Sequence, residues 1–382
     1  MKLYEVAVVG GGASALMFAS HLKDKRNSII LEGTNKLGNK ILISGGGRCN
    51  FSNKNISCND YLGDCDFFNA VYKKYNNKWL LNYFKSRGLK YNIKNGNEYF
   101  CQNSAKELLD ILIKEIKPIN IALNTKVIDI TKDGDIFKIK TQNSEIYAKK
   151  VVIASGGLSF AKIGASGFGF EIAKKFNHTL TALSPALVGF TLQKEQSFFK
   201  ELSGISVEAI VKVENREFQS KVLFAHKGIS GPAILNASLF WSKGHITIDF
   251  LPNFDLDSIK NSKKELISLL PMPKRAIKMF LEHIEVKNKN ANKLSDIDLK
   301  KLYRLKNYSF APAGTFGYQK AEVTKGGILT KEIYKESFMS KKNENLFFLG
   351  EVIDITGRLG GFNFQWAFSS GAKCAKYINS WQ

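Results

Sequence analysis

Residues 3–32 read LYEVAVVGGGASALMFASHLKDKRNSIILE, and this stretch decides the class of fold. The apolar run of residues 3–9 predicts a buried strand, which three glycines end. Residues 13–23 carry apolar side chains at helical spacing, and residues 28–31 are a second apolar run. This order of strand, helix and strand predicts the βαβ opening of a doubly wound α/β fold.

The glycine turn has the spacing of a dinucleotide-binding motif. Gly10 allows a tight turn, Gly12 lets the backbone approach a pyrophosphate, and the small Ala15 lets helix and strand pack closely. The helix start offers unpaired N–H groups to phosphates. Glu32, twenty residues after Gly12, is placed to accept hydrogen bonds from ribose hydroxyls and would repel a 2′-phosphate. FAD and NAD both meet these requirements.

A second glycine-rich stretch, residues 38–50, reads GNKILISGGGRCN and directly follows the second strand. Consecutive glycines allow backbone amides to face a planar ligand that Cβ atoms would obstruct. Lys40 and Arg48 supply positive charge for a pyrophosphate or an anionic flavin. The alternative is an ordinary surface loop, and we predict loop structure for residues 36–57 as a whole.

A third motif lies near the end of the chain, where LFFLGEVID at 346–354 is followed by GRLGGFNFQWAF at 357–368. The first segment predicts a strand that ends in an acidic turn. The glycine pair then precedes a helix that runs to about Tyr377. Such a helix start can stabilise negative charge on a reduced flavin. The alternative is a closing helix that contacts no ligand.

The pattern changes in the middle of the chain. The first part of the chain predicts helices at 69–87 and 104–117. Residues 188–319 instead predict several strands, followed by a lysine-rich helical stretch at 258–303. We therefore predict an α/β fold in which a Rossmann-type dinucleotide-binding domain, residues 1–187 and 320–382, is interrupted by an inserted substrate or cap domain at 188–319; the family resemblance described below implies that the dinucleotide is FAD.

Composition restricts the class of protein. The 382 residues are 44% apolar, which is typical of a globular chain. The sequence has neither a membrane-length apolar run nor a signal peptide, and this predicts a cytoplasmic protein without a membrane partner. The five cysteines form no C-x-x-C pair, so we expect reduced, unpaired thiols and no metal site.

The chain is strongly basic, with 56 Lys and Arg against 34 Asp and Glu and a net charge of +22. Such a charge favours contact with polyanions, including RNA. A lysine-rich surface that reflects only coding bias is the alternative, because the basic residues are dispersed along the chain. Composition alone leaves both interpretations open, and it does not indicate an oligomeric state.

The motifs together resemble the BaiN-like family of bacterial flavoproteins, which includes aminoacetone-oxidase-like proteins. They occur in the family order: GGGASA at 10–15, SGGGRCN at 44–50, ASGGLS at 154–159, HKGISGPAIL at 226–235, VTKGG at 323–327 and GEVIDITGRLGGFNFQWA at 350–367. The match covers nearly the whole chain. Ala161 and Phe168 stand where the family usually has proline and aspartate, so substrate contacts from the loop between them are not carried over.

The resemblance implies FAD as the cofactor, with its ring system where the insert meets the FAD domain. Carried over by position, the cofactor contacts are Gly10, Gly12, Ala13, Ser14, Ala15, Glu32, Lys40, Ser44, Gly45, Gly46, Arg48, Cys49, Asn50, Val127, Ser155, Gly156, Gly350, Glu351, Asp354, Gly361, Phe362 and Asn363.

Three residues are candidates for catalysis. His226 carries an imidazole, the natural proton carrier near neutral pH. Cys49 stands beside Arg48, which could lower the pKa of the thiol and leave it facing the flavin. No second dinucleotide motif is evident, so NAD(P)H is expected to bind only transiently if it is the reductant.

Three functions remain open at this point. The first is hydride exchange between FAD and an unsaturated or amine-bearing small molecule. The second is reduction or modification of an RNA base, with the basic surface binding the RNA. The third is a flavin redox sensor without enzymatic activity.

Overall fold

The computed structural model describes residues 2–380. Its strands are β1 Leu3–Val9, β2 Ser28–Leu31, β3 Asn50–Asn53, β4 Tyr61–Gly63, β5 Tyr91–Lys94, β6 Glu98–Cys101, β7 Asn120–Ala122, β8 Val127–Asp133, β9 Ile136–Thr141, β10 Glu145–Ile153, β11 Ser184–Ala186, β12 Phe190–Thr191, β13 Ser206–Val213, β14 Arg216–Ala225, β15 Gly228–Ser230, β16 Ile246–Asp249, β17 Tyr308–Phe310, β18 Gly314–Thr315, β19 Val323–Lys325, β20 Leu346–Phe348 and β21 Ile355–Gly357. Its α-helices are α1 Ala13–His21, α2 Asn39–Ile43, α3 Cys65–Tyr72, α4 Asn77–Lys85, α5 Ala105–Glu115, α6 Phe168–Lys175, α7 Pro232–Phe240, α8 Leu266–Leu269, α9 Lys274–His283, α10 Asp296–Tyr303 and α11 Phe362–Ile378.

The chain divides into two compact units. Within the described part, residues 2–184 and 323–380 form unit 1, and residues 185–322 form unit 2. The α/β class and the Rossmann-type architecture predicted from the sequence are confirmed. None of the helices in residues 2–380 combines the length and the apolar character that a bilayer crossing requires.

Unit 1 is built on a sheet with the order β7-β2-β1-β10-β9-β8, and β20 also pairs with β10. β1, β2, β7, β10 and β20 are joined in parallel pairings, whereas β8, β9 and the first half of β10 form an antiparallel meander. β2, β20 and the carboxyl-terminal parts of β1 and β10 are buried on both faces, which explains their continuous apolar sequence. Their carboxyl ends meet at one edge, where ligands bind in such sheets.

Helix α1 is buried along almost its whole length and packs against α11. Gly371 makes this close packing possible, because a Cβ atom at this position would lie 2.4 Å from the carbonyl oxygen of Ser14 and 2.9 Å from the backbone nitrogen of Phe18. The start and the end of the chain therefore form one packed layer over the sheet.

We predict that Gly371→Ala destabilises the protein, although alanine normally favours a helix interior over glycine. The added methyl group would meet backbone atoms of α1 that cannot move aside, so we expect a loss of about 2 kcal/mol in the free energy of unfolding. Urea unfolding measures this loss. Lys376→Ala, on the exposed side of the same helix, is the control and should change stability by less than about 0.5 kcal/mol. An equally stable Gly371→Ala variant would contradict the packing described here.

Unit 2 contains an antiparallel sheet with the order β17-β16-β13-β14-β15-β12-β18, together with helices α7 to α10. Its core is rich in phenylalanine: the ring centroids of Phe250 and Phe280 are 4.6 Å apart, and those of Phe199 and Phe224 are 5.1 Å apart. Gly228, the first residue of β15, and Gly231, which follows that strand, have positive φ angles, and a Cβ atom at either would collide with a neighbouring strand. The glycines of the 226–235 motif are thus required by the packing of this sheet.

Several local predictions were wrong. Residues 69–87 form two helices, α3 and α4, because the Asn76 side chain accepts a hydrogen bond from the backbone N–H of Trp79 and begins a new helix. Residues 36–57 are not only a loop but contain α2, a 3₁₀ helix at Ser44–Gly47 and β3. The helical stretch at 258–303 is broken into α8, α9 and α10, with prolines between the first two.

The prediction of unpaired cysteines is wrong for two of the five. Cys58 and Cys65 form a disulfide, and their Cα atoms lie 5.2 Å apart. The turn that carries β4 brings the two residues together, and a spacing of seven residues gave no sign of it. Cys49, Cys101 and Cys374 are free and buried.

Candidate dinucleotide site

A cavity in unit 1 is lined by the glycine turn before α1, by the residues after β10 and by the first turn of α11. The motifs near the two ends of the chain therefore contribute to one cavity, as their predicted common role requires. The principal lining residues are Gly10, Gly11, Gly12, Ala13, Ser14, Glu32, Lys36, Asn39, Lys40, Ser155, Gly156, Gly157, Ser159, Phe160, Ile163, Glu351, Ile355, Asn363, Phe364, Trp366 and Ala367.

The start of α1 is arranged to bind an anion. Gly12 occupies the N-cap position, and no side chain caps the helix. The first backbone N–H groups of an α-helix have no partner within the helix, and the helix dipole adds partial positive charge there. A Cβ atom on Gly12 would meet no other atom within 4 Å, so the space above these amides is open. A pyrophosphate fits this space and this charge.

Gly10 has a different role, because the fold itself requires it. Its φ angle is +104°, and a Cβ atom would lie 2.6 Å from the carbonyl oxygen of Ala154 at the end of β10. Only glycine lets the chain leave β1 so close to the neighbouring strand.

Glu32 is held rigidly at the end of β2. One carboxylate oxygen accepts a hydrogen bond from the backbone N–H of Gly11 at 2.7 Å. The other accepts from the backbone N–H and the hydroxyl of Thr34, both at 2.8 Å. The carboxylate is thus fixed next to the glycine turn, where a ribose attached to the pyrophosphate would lie.

A second cavity in unit 1 adjoins the first, and Gly10, Glu32, Ser155, Gly164 and Ala165 line both of them. The second cavity is further lined by residues that include Val9, Leu31, Thr34, Lys126, Val127 and Phe168. An elongated ligand with a ribose at Glu32 could place its base in the second cavity and its remainder in the first. This two-part shape fits FAD.

Two buried hydroxyl groups in the first cavity have no hydrogen-bond partner. Ser155 and Ser159 both line the cavity, and their Oγ atoms are inaccessible to solvent. Buried polar atoms in folded proteins are nearly always hydrogen-bonded, so these hydroxyls indicate a polar ligand. Phosphate and ribityl oxygens of FAD would supply the missing partners.

An ion pair forms part of the cavity wall. The Lys40 ammonium lies 3.0 Å from the Glu351 carboxylate. These two residues are 311 positions apart in the sequence. Glu351 also accepts a hydrogen bond from the backbone N–H of Thr324 at 2.9 Å, and the Phe160 ring lies 5.6 Å from the Lys40 nitrogen. Both predicted contacts, Lys40 and Glu351, therefore face the cavity together.

The first part of the second glycine motif, including Asn39 and Lys40, lines the first cavity, whereas residues 44–50 line neither cavity. Gly45, Gly46 and Gly47 have consecutive positive φ angles of 56°, 64° and 79°, and Arg48 is exposed beside them. The motif nevertheless reaches the start of α11, because the buried Oδ1 of Asn50 lies 2.6 Å from the position of a Cβ atom on Gly361. This oxygen has no hydrogen-bond partner.

Cys49 differs from the prediction of a reactive thiol. It is fully buried, and burial raises the pKa of its thiol well above the ordinary value, whereas a lowered pKa was predicted. The predicted influence of the neighbouring Arg48 fails because that side chain points to solvent while the thiol lies inside the core.

The other predicted contacts lie around the cavity rather than on its wall. Ala15, Gly350 and Phe362 are buried, and Gly361 precedes the first turn of α11. Asp354 interacts with Thr181; burial raises the pKa of its carboxyl, and the hydrogen bond with Thr181 opposes this shift. His226 is exposed in the two-residue turn between β14 and β15 of unit 2.

Sequence reasoning missed several residues of the cavity wall, among them Ser159, Phe160, Ile163 and Trp366. Ser159 ends the ASGGLS motif, which was the only signal available for it. Phe160 adopts a left-handed conformation with a φ of 66°, which turns the chain back toward the cavity.

Fold and site together define a Rossmann-type flavoprotein, an FAD-dependent oxidoreductase. The chain belongs to the HI0933-like family: the family model described as the HI0933-like protein Rossmann domain matches residues 4–377. This confirms the family resemblance that the motifs predicted.

Two curated relatives match over almost their full length. The ribosomal RNA dihydrouridine synthase of Escherichia coli is 33% identical over 393 residues, which cover 98% of each chain. The 3-dehydro-bile acid delta(4,6)-reductase of Clostridium scindens is 27% identical over 397 residues, covering 96% of this chain and 97% of the relative. Among solved structures, Mycobacterium smegmatis Sdh1 in complex with UQ1 has a TM-score of 0.50 at 12% identity, covering 99% of this chain and 69% of that one. This last likeness concerns the fold alone.

Proposed function

We propose that this enzyme reduces the C5–C6 double bond of a uracil base in ribosomal RNA. The observation that carries the proposal is the 33% identity, over 98% of both chains, with a relative named ribosomal RNA dihydrouridine synthase. Dihydrouridine differs from uridine by one hydride and one proton added across that bond. FAD, when bound in its reduced form, supplies hydride chemistry of this kind. A ribosomal RNA substrate would place the reaction in the cytoplasm.

The charge of the chain supports an RNA substrate. A net charge of +22 creates a positive field that attracts phosphates over several ångströms and releases counterions on binding. Binding to RNA is therefore expected to weaken steeply as salt rises.

Residues of unit 1 would hold the cofactor in a defined orientation. The backbone amides at the start of α1 would bind the pyrophosphate, and the Glu32 carboxylate would accept hydrogen bonds from the adenosine ribose. The first turn of α11 presents the positive end of a second helix dipole to the same cavity. Negative charge that develops there during hydride transfer would be stabilised.

We infer that NAD(P)H is the electron donor and binds only transiently, because the chain carries one dinucleotide motif and FAD would occupy it. Anaerobic mixing of the holoprotein with NADH or NADPH should bleach the flavin absorbance near 450 nm. A flavin that neither nucleotide bleaches would exclude this donor.

We further propose that His226 supplies the proton, since its imidazole is exposed at the tip of the β14–β15 turn. His226→Gln is expected to lower turnover about 100-fold, the usual contribution of a positioned acid, without reducing FAD content. Lys227→Gln, in the same turn, is the matched control for loss of an exposed polar side chain. Equal turnover of wild type and His226→Gln would reject this role.

The proposed reaction is tested with ribosomal RNA from cells that lack the enzyme. The RNA is incubated with holoprotein and NADPH, digested to nucleosides and analysed for dihydrouridine by mass spectrometry. We expect dihydrouridine only when enzyme, reductant and RNA are all present. Absence of the product, with flavin that NADPH does reduce, would reject the RNA substrate.

A small unsaturated carbonyl compound is the second candidate substrate. It is favoured by the 27% identity with a relative named as a bile acid reductase. Both candidates require addition of hydride to a carbon–carbon double bond. Reoxidation of the reduced flavin by enones, but not by RNA, would favour the small molecule over the base.

A further inference from the structure

The disulfide between Cys58 and Cys65 lies where an external thiol can reach it. Cys65 is exposed and Cys58 is half-buried. All five cysteines are within the described residues, and the other three are buried free thiols whose pKa values burial raises, that of Cys101 to about 12. Only this pair is therefore suited to thiol–disulfide exchange.

The loop that the disulfide closes supports the wall of the first cavity. Tyr61, buried inside the loop, donates a hydrogen bond from its hydroxyl to the carbonyl oxygen of Phe362 at 2.9 Å, the first residue of α11. Asp60 lies 2.8 Å from the Arg358 guanidinium, just before that helix.

The same loop also pairs with a strand of the wall. β4, within the loop, forms an antiparallel pair with β21, in which Thr356 is opposite Leu62. Ile355 of β21 and Asn363 of α11 both line the cavity. The closed loop thus contacts two elements that face the predicted position of FAD.

We propose that Cys58 and Cys65 form a thiol–disulfide switch that sets how tightly the α11 side of the cavity holds FAD. With the disulfide closed, the loop restrains β21 and the start of α11. Reduction releases this restraint, because the loop gains conformational freedom and its contacts to α11 become intermittent. The inference goes beyond the proposed function, since it concerns retention of the cofactor and not the substrate.

The exchange requires a low-molecular-weight thiol as the reductant. Its thiolate attacks one sulfur of the disulfide and forms a mixed disulfide, and the other cysteine leaves as a thiolate. A second small thiol then attacks the mixed disulfide. In total, two small thiols pass two electrons and two protons to the pair, and they leave as their own disulfide.

The test uses the full-length holoprotein with and without dithiothreitol. Titration of thiols in denaturant should find three before reduction and five afterwards. Release of FAD, followed by the rise in flavin fluorescence after dilution, should become about five to ten times faster on reduction. A Cys58→Ser/Cys65→Ser double variant should release FAD at the rate of the reduced wild type and should not respond to dithiothreitol.

Three outcomes would overturn the proposal. Five thiols before reduction would show that the pair is not oxidised. Equal rates of FAD release from oxidised and reduced wild type would show that the loop does not control the cavity. A double variant that responds to dithiothreitol as strongly as the wild type would place the effect elsewhere. None of these readouts depends on the substrate, so failure here is distinguishable from failure of the RNA proposal.

Discussion

Replacing Gly12 by leucine is expected to abolish FAD binding while leaving the fold intact. Gly12 has φ and ψ angles of −83° and −169°, which any residue can adopt, and a Cβ atom there meets nothing within 4 Å. The folded protein therefore has no structural need for glycine at this position. A leucine side chain would instead fill the space where the pyrophosphate is expected and would cover the amides of α1.

The expected effect is a loss of FAD affinity of at least about 100-fold, equivalent to about 2.7 kcal/mol. Titration of the apoprotein with FAD, followed by flavin fluorescence, measures the affinity. Stability must be compared between apoproteins, because bound ligand stabilises only the variant that binds it. We expect apo Gly12→Leu to be within about 1 kcal/mol of the wild type.

Gly10→Ala is the informative comparison. This substitution forces a left-handed φ angle on alanine and brings its Cβ atom against the backbone of Ala154, so the apoprotein itself should lose about 2 kcal/mol or more. Wild-type FAD affinity in Gly12→Leu would show that the start of α1 is not the pyrophosphate site.

Acidification is expected to destabilise the protein through a buried cluster in unit 1. The side chain of His178 is fully buried, with one ring nitrogen 2.7 Å from the Ser340 hydroxyl and the other 3.2 Å from Glu332. Burial lowers the pKa of His178, and the nearby Glu332 opposes that shift. Burial alone would raise the pKa of Glu332, but hydrogen bonds from Lys342 and Thr179 outweigh it and lower the pKa to about 2.

The sign of the change in stability with pH follows from how many protons the folded and unfolded states bind. Below pH 6.5 the unfolded chain protonates this histidine while the folded protein resists protonation, so stability falls as pH falls. The folded carboxylate of Glu332 likewise resists protonation below its unfolded pKa of 4.5, which adds to the loss at lower pH. For the histidine alone, the free energy of unfolding changes with pH by up to about 1.4 kcal/mol per pH unit, between pH 6.5 and the pKa of the histidine in the folded protein.

Urea unfolding at pH 7.0, 6.0 and 5.0 tests this prediction. Other groups also contribute to the pH dependence, including His21, whose pKa burial lowers too. Comparison with the His178→Gln variant cancels the contributions of these other groups, because the groups are present in both proteins. The wild type should lose more stability than this variant between pH 7.0 and pH 5.0, because only the wild type carries the buried imidazole. Parallel pH dependences would show that His178 does not resist protonation in the folded state.

The best sequence predictions concern features that neighbouring residues determine. The βαβ unit was predicted from its apolar periodicity, and the glycine turn and Glu32 lie next to each other as their spacing implied. The prediction of a single helix at 69–87 was wrong, because an asparagine cap at Asn76 begins a second helix within a continuous helical pattern. Short-range signals of this kind are reliable only where no local competitor exists.

Other features depend on contacts between distant parts of the chain. The pairing of Lys40 with Glu351 joins residues 311 positions apart, and the partnerless hydroxyl of Ser159 becomes meaningful only once the cavity around it is known. Cys49 illustrates the reverse case: its neighbour Arg48 suggested a reactive thiol, but its depth in the core decides its pKa.

The Rossmann class, the glycine turn and the family could all be predicted from the amino-acid sequence, because they depend on residue types at short, regular spacing. Tertiary structure alone decided which predicted residues line the cavity, that Cys58 and Cys65 are bonded, and that Asp354 interacts with Thr181. Burial and side-chain direction arise from the packing of the whole unit. A short sequence pattern does not contain the contacts that distant residues contribute to this packing.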